Sequence, residues 1–217
     1  MDSALPPSAP APVARPPVAG LLLAAGAGSR HGSPKALRRG KDGEPWLLRA
    51  INALQTGGCS PVIVVLGARG DEAELLLPGR GDSPERAGDL VVVHAADWAT
   101  GVSASLRAGL AAAAALEPAP AAVAVVPVDV PDLDGAIVAR LIGDRPDDGQ
   151  PGPVAPDTLR QASFDGRPGH PVVIGRGHWA ALGTRLAGDR GARRYLVEHG
   201  VRMIDCGDLG TGVDDDD

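Results

Sequence analysis

The chain has 217 residues, a net charge of −6 and two cysteines. That length holds one domain with a substantial core and is short for two, while the acidic balance excludes nucleic acid or an anionic membrane as the main partner. Cys59 and Cys206 give neither a disulfide framework nor metal-ligand spacing, which fits a reducing cytoplasm, and no apolar run reaches the about 18 residues of a membrane span.

Residues 1–17 include six prolines among alanines, carry too little apolar surface to fold, and read as a disordered leader ahead of a single domain over 18–217. Short β-branched or leucine-rich runs at 18–23, 62–66, 90–94 and 123–126 read as buried parallel strands. Between and after them, 46–55, 71–77, 103–116 and 134–142 read as helices, the third with Ser at its head and an alanine-rich body. Strand alternating with helix predicts right-handed βαβ units and an α/β fold, a Rossmann-like three-layer α/β/α sandwich with a mostly parallel sheet. Residues 143–152, rich in Asp, Gly and Pro, are a candidate flap. Arg80-Gly81-Asp82 reads as a polar loop rather than an adhesion motif.

The first strand empties into Leu23-Ala24-Ala25-Gly26-Ala27-Gly28-Ser29-Arg30-His31-Gly32-Ser33-Pro34-Lys35. Successive glycines let backbone N–H groups turn toward an anion, and Arg30 and Lys35 supply charge that a triphosphate needs neutralised. Only two of the 21 basic residues are lysines, and one of them is Lys35; a compact ammonium suits phosphate. The loop is not a Walker loop, because Ser33-Pro34 separates Gly32 from Lys35. Nor is it a dinucleotide loop, because Gly26, Gly28 and Gly32 leave one residue too many.

The fourth strand ends in Val128-Asp129-Val130-Pro131-Asp132. A carboxylate at the carboxyl end of a buried strand is well placed to hold Mg2+ on a triphosphate, although Asp129 also reads as a turn aspartate. Asp132 and Asp134 are the better helix caps. Gly101 and the serines Ser103 and Ser105 stand at a helix N-terminus that favours an anion; either serine could instead cap that helix. Gly169-His170-Pro171 reads, on its residues alone, as a tight turn into a strand. Arg193 and Arg194 read as surface charges on the last helix.

The glycine loop resembles the L-A-A-G-x-G-x-R-x-G-x-P-K signature of the MobA-like nucleotidyltransferases, which transfer a nucleoside monophosphate from an NTP onto a phosphate. Val128-Asp129-Val130-Pro131 resembles that family's G-D-M-P motif, with Val128 in place of Gly. Asp97 through Gly109 and Gly166-Arg167-Pro168-Gly169-His170-Pro171, followed by Gly188-Asp189-Arg190-Gly191-Ala192-Arg193, resemble segments of the molybdopterin cytidylyltransferase branch. The resemblance implies a fold of nucleotide-diphospho-sugar transferase type. It implies Arg30 and Lys35 on the phosphates, Asp129 on Mg2+, and Leu23, Ala24, Ala25 and Gly26 toward base and ribose. Gly28 and Ser29 would meet the phosphates, Ser103 and Ser105 the nucleotide, and Gly169 and His170 the acceptor. A second acidic ligand is usual after the last strand; Asp214 is the nearer candidate and Asp216 the other.

The activity so implied is transfer of NMP, with Ala25 tilting the donor toward CTP, onto a phosphorylated acceptor such as molybdopterin, releasing pyrophosphate. Transient contact with a molybdoenzyme or its chaperone belongs to the same expectation. Alternatives on the same scaffold are a guanylyltransferase or sugar-1-phosphate nucleotidyltransferase. From another class comes a non-catalytic module that binds a nucleotide or delivers a cofactor, which the altered acidic end and His31, where the family has Met, would suit.

Overall fold

The computed structural model describes residues 17–28, 32–78, 90–143 and 152–213. The leader, the Arg80-Gly81-Asp82 loop and most of the candidate flap lie outside the described residues.

A seven-stranded sheet forms the middle layer. Its strands are β1 (Val18–Ala24), β2 (Val62–Leu66), β3 (Leu90–His94), β4 (Ala122–Pro127), β5 (Leu159–Phe164), β6 (Arg167–Gly175) and β7 (Arg202–Asp205). They are ordered β3-β2-β1-β4-β6-β5-β7, and only β6 runs against its neighbours. β1, β2 and β4 are covered on both faces, which is why they read as unbroken apolar runs. β3 was expected to be buried as well. It is the outer strand and only half-buried, because β2 covers one edge and nothing among the described residues pairs with the other.

Successive side chains of each strand point to opposite faces, so the core divides in two. Leu22, Val64 and Val126 face α1 (Trp46–Thr56) and α4 (Gly135–Ile142). Leu21, Val65 and Val125 face α3 (Val102–Ala114), α5 (Trp179–Arg185) and α6 (Arg193–Glu198). α1 buries Trp46, Leu47, Ala50, Ile51 and Leu54, a helical stripe on one side. α4 starts where the Asp134 carboxylate accepts from Ala136 N at 2.7 Å and stops at Gly143, which takes the left-handed conformation at φ 72°.

The helix expected over 71–77 is shorter, α2 (Gly70–Glu74), followed by turns at Leu76 and Leu77. Pro78 disfavours helical backbone in the residue before it, and Leu75 projects into solvent. The reading of Gly169-His170-Pro171 as a tight turn is not what the chain does there. The hairpin turns at Asp165 and Gly166, both at positive φ, so Gly169 and His170 already lie within β6. Among the described residues no helix is long and apolar enough to cross a membrane.

Candidate nucleotide site

Parallel α/β sheets gather ligands at the carboxyl ends of their strands, and here β1 and β4 end side by side. Leu23 pairs with Pro127, and Val128 N donates to Leu23 O at 3.1 Å, so the loop after β1 and the segment after β4 leave the sheet together. Gly28, at φ 61°, turns the first loop back on itself. A Cβ there would stand 2.0 Å from the Ser33 carbonyl oxygen, so no other residue fits. Gly26 faces open space. After the fold-back a single turn, Lys35–Leu37, brings Lys35 over the end of β4.

There Lys35 Nζ donates to Asp129 Oδ2 and forms an ion pair. The side chains keep 20 % and 15 % of their exposure, so the pair is partly shielded from water yet open to a ligand. Two of the three residues expected to carry the chemistry therefore touch. The third, Arg30, lies outside the described residues, as do Ser29, Asp214 and Asp216. Leu23 and Ala24 end β1, and Ala25, Gly26 and Gly28 follow in the loop after it.

β6 runs antiparallel, so its beginning lies at the edge where β4 ends. Val125 pairs with Val172, and continuing that register brings His170 to Pro127, two residues before Asp129. Burial pushes the His170 imidazole below its ordinary pKa, and the Asp129 carboxylate partly offsets this, which places the two groups in the same field.

The N-terminus of α3 departs from expectation. Neither Ser103 nor Ser105 caps it; both are buried, and the cap position is Gly101. The Asp189 carboxylate takes the place expected for an anion, accepting from Val102 N at 3.4 Å. Among the described residues Ser103 Oγ is buried with no hydrogen-bond partner, a polar atom of the kind a bound ligand satisfies. Asp132, expected to cap a helix, instead accepts from residues near the end of the chain. A separate recess of about 350 Å3, lined by Leu182, Arg185, Arg190, Arg194, Tyr195 and Glu198, contains none of the expected site residues.

The donor set fits a hard divalent cation. Asp129 offers carboxylate oxygen beside a loop shaped for phosphate, and Mg2+ is commonly held through one or two carboxylates with substrate phosphates completing its shell. Among the described residues there is no group of three or more His, Cys, Asp or Glu that could hold a metal ion.

Comparison with known proteins agrees with this geometry. The nicotine blue oxidoreductase of Paenarthrobacter nicotinovorans is 36 % identical over 208 residues, covering 93 % of each chain. Rv0371c of Mycobacterium tuberculosis, solved in complex with manganese, superposes with a TM-score of 0.64 at 25 % identity, covering 88 % of each chain. A nucleotidyl transferase from Methanothermobacter shares the fold, with a TM-score of 0.69 at 21 % identity, covering 92 % of this chain and 91 % of that one. Residues 20–203 match the family model of the MobA-like NTP transferase domain, and with the loop, strand ends and sheet order already described, the chain belongs to that family.

Proposed function

We propose that the protein transfers CMP from CTP to a phosphorylated acceptor, molybdopterin being the acceptor the sequence favours, and releases pyrophosphate. The observation that carries this reading is the meeting of Lys35 and Asp129 across the exits of β1 and β4. A cation for phosphate and a carboxylate for metal stand together beside a glycine loop.

An acceptor phosphate oxygen attacks the α-phosphorus in line, a bond forms there, and the bond to the β-phosphate oxygen breaks. The protein's contribution is alignment and charge neutralisation. Ala24, Ala25 and Gly26 face base and ribose, while the amides of Gly28 and Ser29, with Arg30 and Lys35, face the phosphates. Ser103 and Ser105 line the nucleotide side, and Gly169 and His170 line the acceptor side. Asp129 and Asp214 would hold Mg2+, which would supply charge neutralisation on the α-phosphate and the departing pyrophosphate. Lys35, restrained by Asp129 in the free protein, is already at the site when the nucleotide arrives. Guanylyl or sugar-1-phosphate transfer would use the same residues with another base or acceptor.

The test is calorimetric titration with CTP, GTP, ATP and UTP in the presence of Mg2+ or Mn2+, followed by pyrophosphate release with each acceptor. Metal-dependent preference for CTP, lost in Lys35→Ala and Asp129→Ala, supports the reading. Absence of NTP binding overturns it. Binding without turnover with any acceptor favours a delivery module.

The 36 % identity to a nicotine blue oxidoreductase favours a second reading, reduction of a conjugated dye. Bleaching of nicotine blue by NADH or NADPH, with no NTP or divalent cation present, would establish it.

A further inference from the structure

The chain has three tryptophans, one tyrosine and one phenylalanine, and Trp46, Phe164, Trp179 and Tyr195 are buried. Trp98 is the exception. It is only partly buried, packed against the half of the core that holds Leu21 and Val65.

Its place is set by the strand exits. Leu66 pairs with both Ala24 and His94, so β1, β2 and β3 end level with one another. Ala68 N donates to Ala25 O at 3.0 Å and Ala95 N to Leu66 O at 2.8 Å, which ties together the loops that follow. Trp98 opens the single turn Trp98–Thr100 after β3, and Gly101 N closes it by donating to Trp98 O at 3.1 Å. The ring comes back over the β2 exit. A Cβ on Gly67 would stand 2.6 Å from Trp98 Cγ, 2.6 Å from Ala25 O and 2.7 Å from Ala25 Cβ. The indole and Ala25 thus meet at the bare backbone of Gly67, an approach that any side chain there would block.

Ala25 keeps only 3 % of its exposure, so it offers a ligand almost no surface of its own. The apolar surface beside it is the half-exposed indole. Just past the turn, Ser103 Oγ is buried with no hydrogen-bond partner among the described residues. A π-face and an unsatisfied hydroxyl in one segment suit a planar heteroaromatic ring, which can stack on the first and bond the second.

We propose that Trp98 is the platform on which the nucleobase of the donor stacks. This inference rests on the reading of the β1 and β4 exits as a nucleotide site. Every base has a π-face, so stacking adds affinity without choosing among bases. Choice then falls to groups that meet the edge of the base.

The test uses the full chain with Mg2+, titrated with CTP, GTP, ATP and UTP and with tripolyphosphate, which carries the phosphates and no base. In the wild type each NTP that binds is expected to quench tryptophan fluorescence, and tripolyphosphate to leave it unchanged. Trp98→Leu, which keeps an apolar side chain against the core, is expected to weaken CTP binding about tenfold and to bind tripolyphosphate as the wild type does. Trp98→Phe keeps a ring, so its calorimetric affinity for CTP should stay near the wild-type value while the quenching disappears, because Trp46 and Trp179 are buried. Equal weakening of CTP and tripolyphosphate in Trp98→Leu marks a merely structural role and overturns the proposal. Unchanged CTP affinity in that variant, or quenching that persists in Trp98→Phe, overturns it as well, and each of these results leaves the nucleotide site standing. A wild type that binds neither NTP nor tripolyphosphate overturns the site reading and this proposal together.

Discussion

Lys35 and Asp129 stand 94 residues apart in the chain and share a proton-bearing contact at the mouth of the sheet. Each holds the other in place, so removing one alters more than its own charge. Asp129→Ala removes a carboxylate from a half-buried ammonium and is expected to lower stability by about 1–2 kcal/mol, between exposed and fully buried ion pairs. Lys35→Met and Asp129→Asn should each lower NTP turnover by about 10²–10³, and the double variant by less than the product of the two, since the groups act as a unit. Steady-state kinetics of the four proteins measures this coupling; strictly multiplicative losses would show that the two residues work independently.

Ser103 separates stability from function by sign. Its hydroxyl is buried and, among the described residues, unpaired, so Ser103→Ala relieves a desolvated group and is expected to leave the melting temperature unchanged or raised. If the bound nucleotide is what satisfies that oxygen, the same variant binds CTP about 5–30-fold more weakly, roughly 1–2 kcal/mol for a hydrogen bond in a sheltered site. Thermal scans with and without nucleotide read both effects; a lowered melting point of the free protein would contradict the first.

Gly28→Ala places a methyl group against the Ser33 carbonyl at a backbone angle that L side chains rarely adopt. The loop has to open, while the sheet beneath it is untouched. We expect loss of NTP affinity with little change in the denaturant midpoint, and a large drop in that midpoint would show that the fold-back is integral to the core.

His170 gives the protein an acid limit. Its pKa in the fold lies below the ordinary value because burial outweighs the nearby Asp129 carboxylate. The unfolded chain therefore takes up this proton first as pH falls. The stability held by neutral His170 is complete above the unfolded pKa of about 6.5 and declines below it. Denaturant midpoints measured from pH 7 to pH 5 should fall less steeply in His170→Gln, by up to about 1.4 kcal/mol per pH unit. Identical slopes would mean that His170 is charged in both states or neutral in both.

Both thiols are sealed. Burial pushes Cys59 up to about 12 and Cys206 up to about 11, leaving almost no thiolate at neutral pH. An aromatic disulfide reagent at pH 8 is expected to titrate neither cysteine in the native protein and both in guanidinium.

The strands that carry the nucleotide side were legible because burial on both faces writes them as continuous apolar runs. β5 was not, because Arg160 sits within it. Its guanidinium is buried and donates to the carbonyls of Leu141 at 2.7 Å and Gly152 at 2.6 Å. A charged residue at a core position erases the pattern a strand is recognised by. Residue types and family resemblance singled out Lys35 and Asp129, one for phosphate and one for metal, while their contact across 94 residues came only from the structure. By contrast, the bonds that Asp132 accepts from Thr211 and Gly212 had no local signal: those partners lie 79 and 80 residues away, and an aspartate near a helix start reads first as a cap.

The reversal of β6 has a consequence for how such a site diversifies. β1 and β4 reach the centre at their exits, whereas β6 reaches it at its start, immediately after the exposed Asp165 and Gly166 turn. Lengthening or shortening that hairpin reshapes the wall around Gly169 and His170 without shifting the register of β1 against β4. The two halves of the centre can therefore drift separately, the donor half held constant by the parallel strands while the other is rebuilt to suit a new co-substrate.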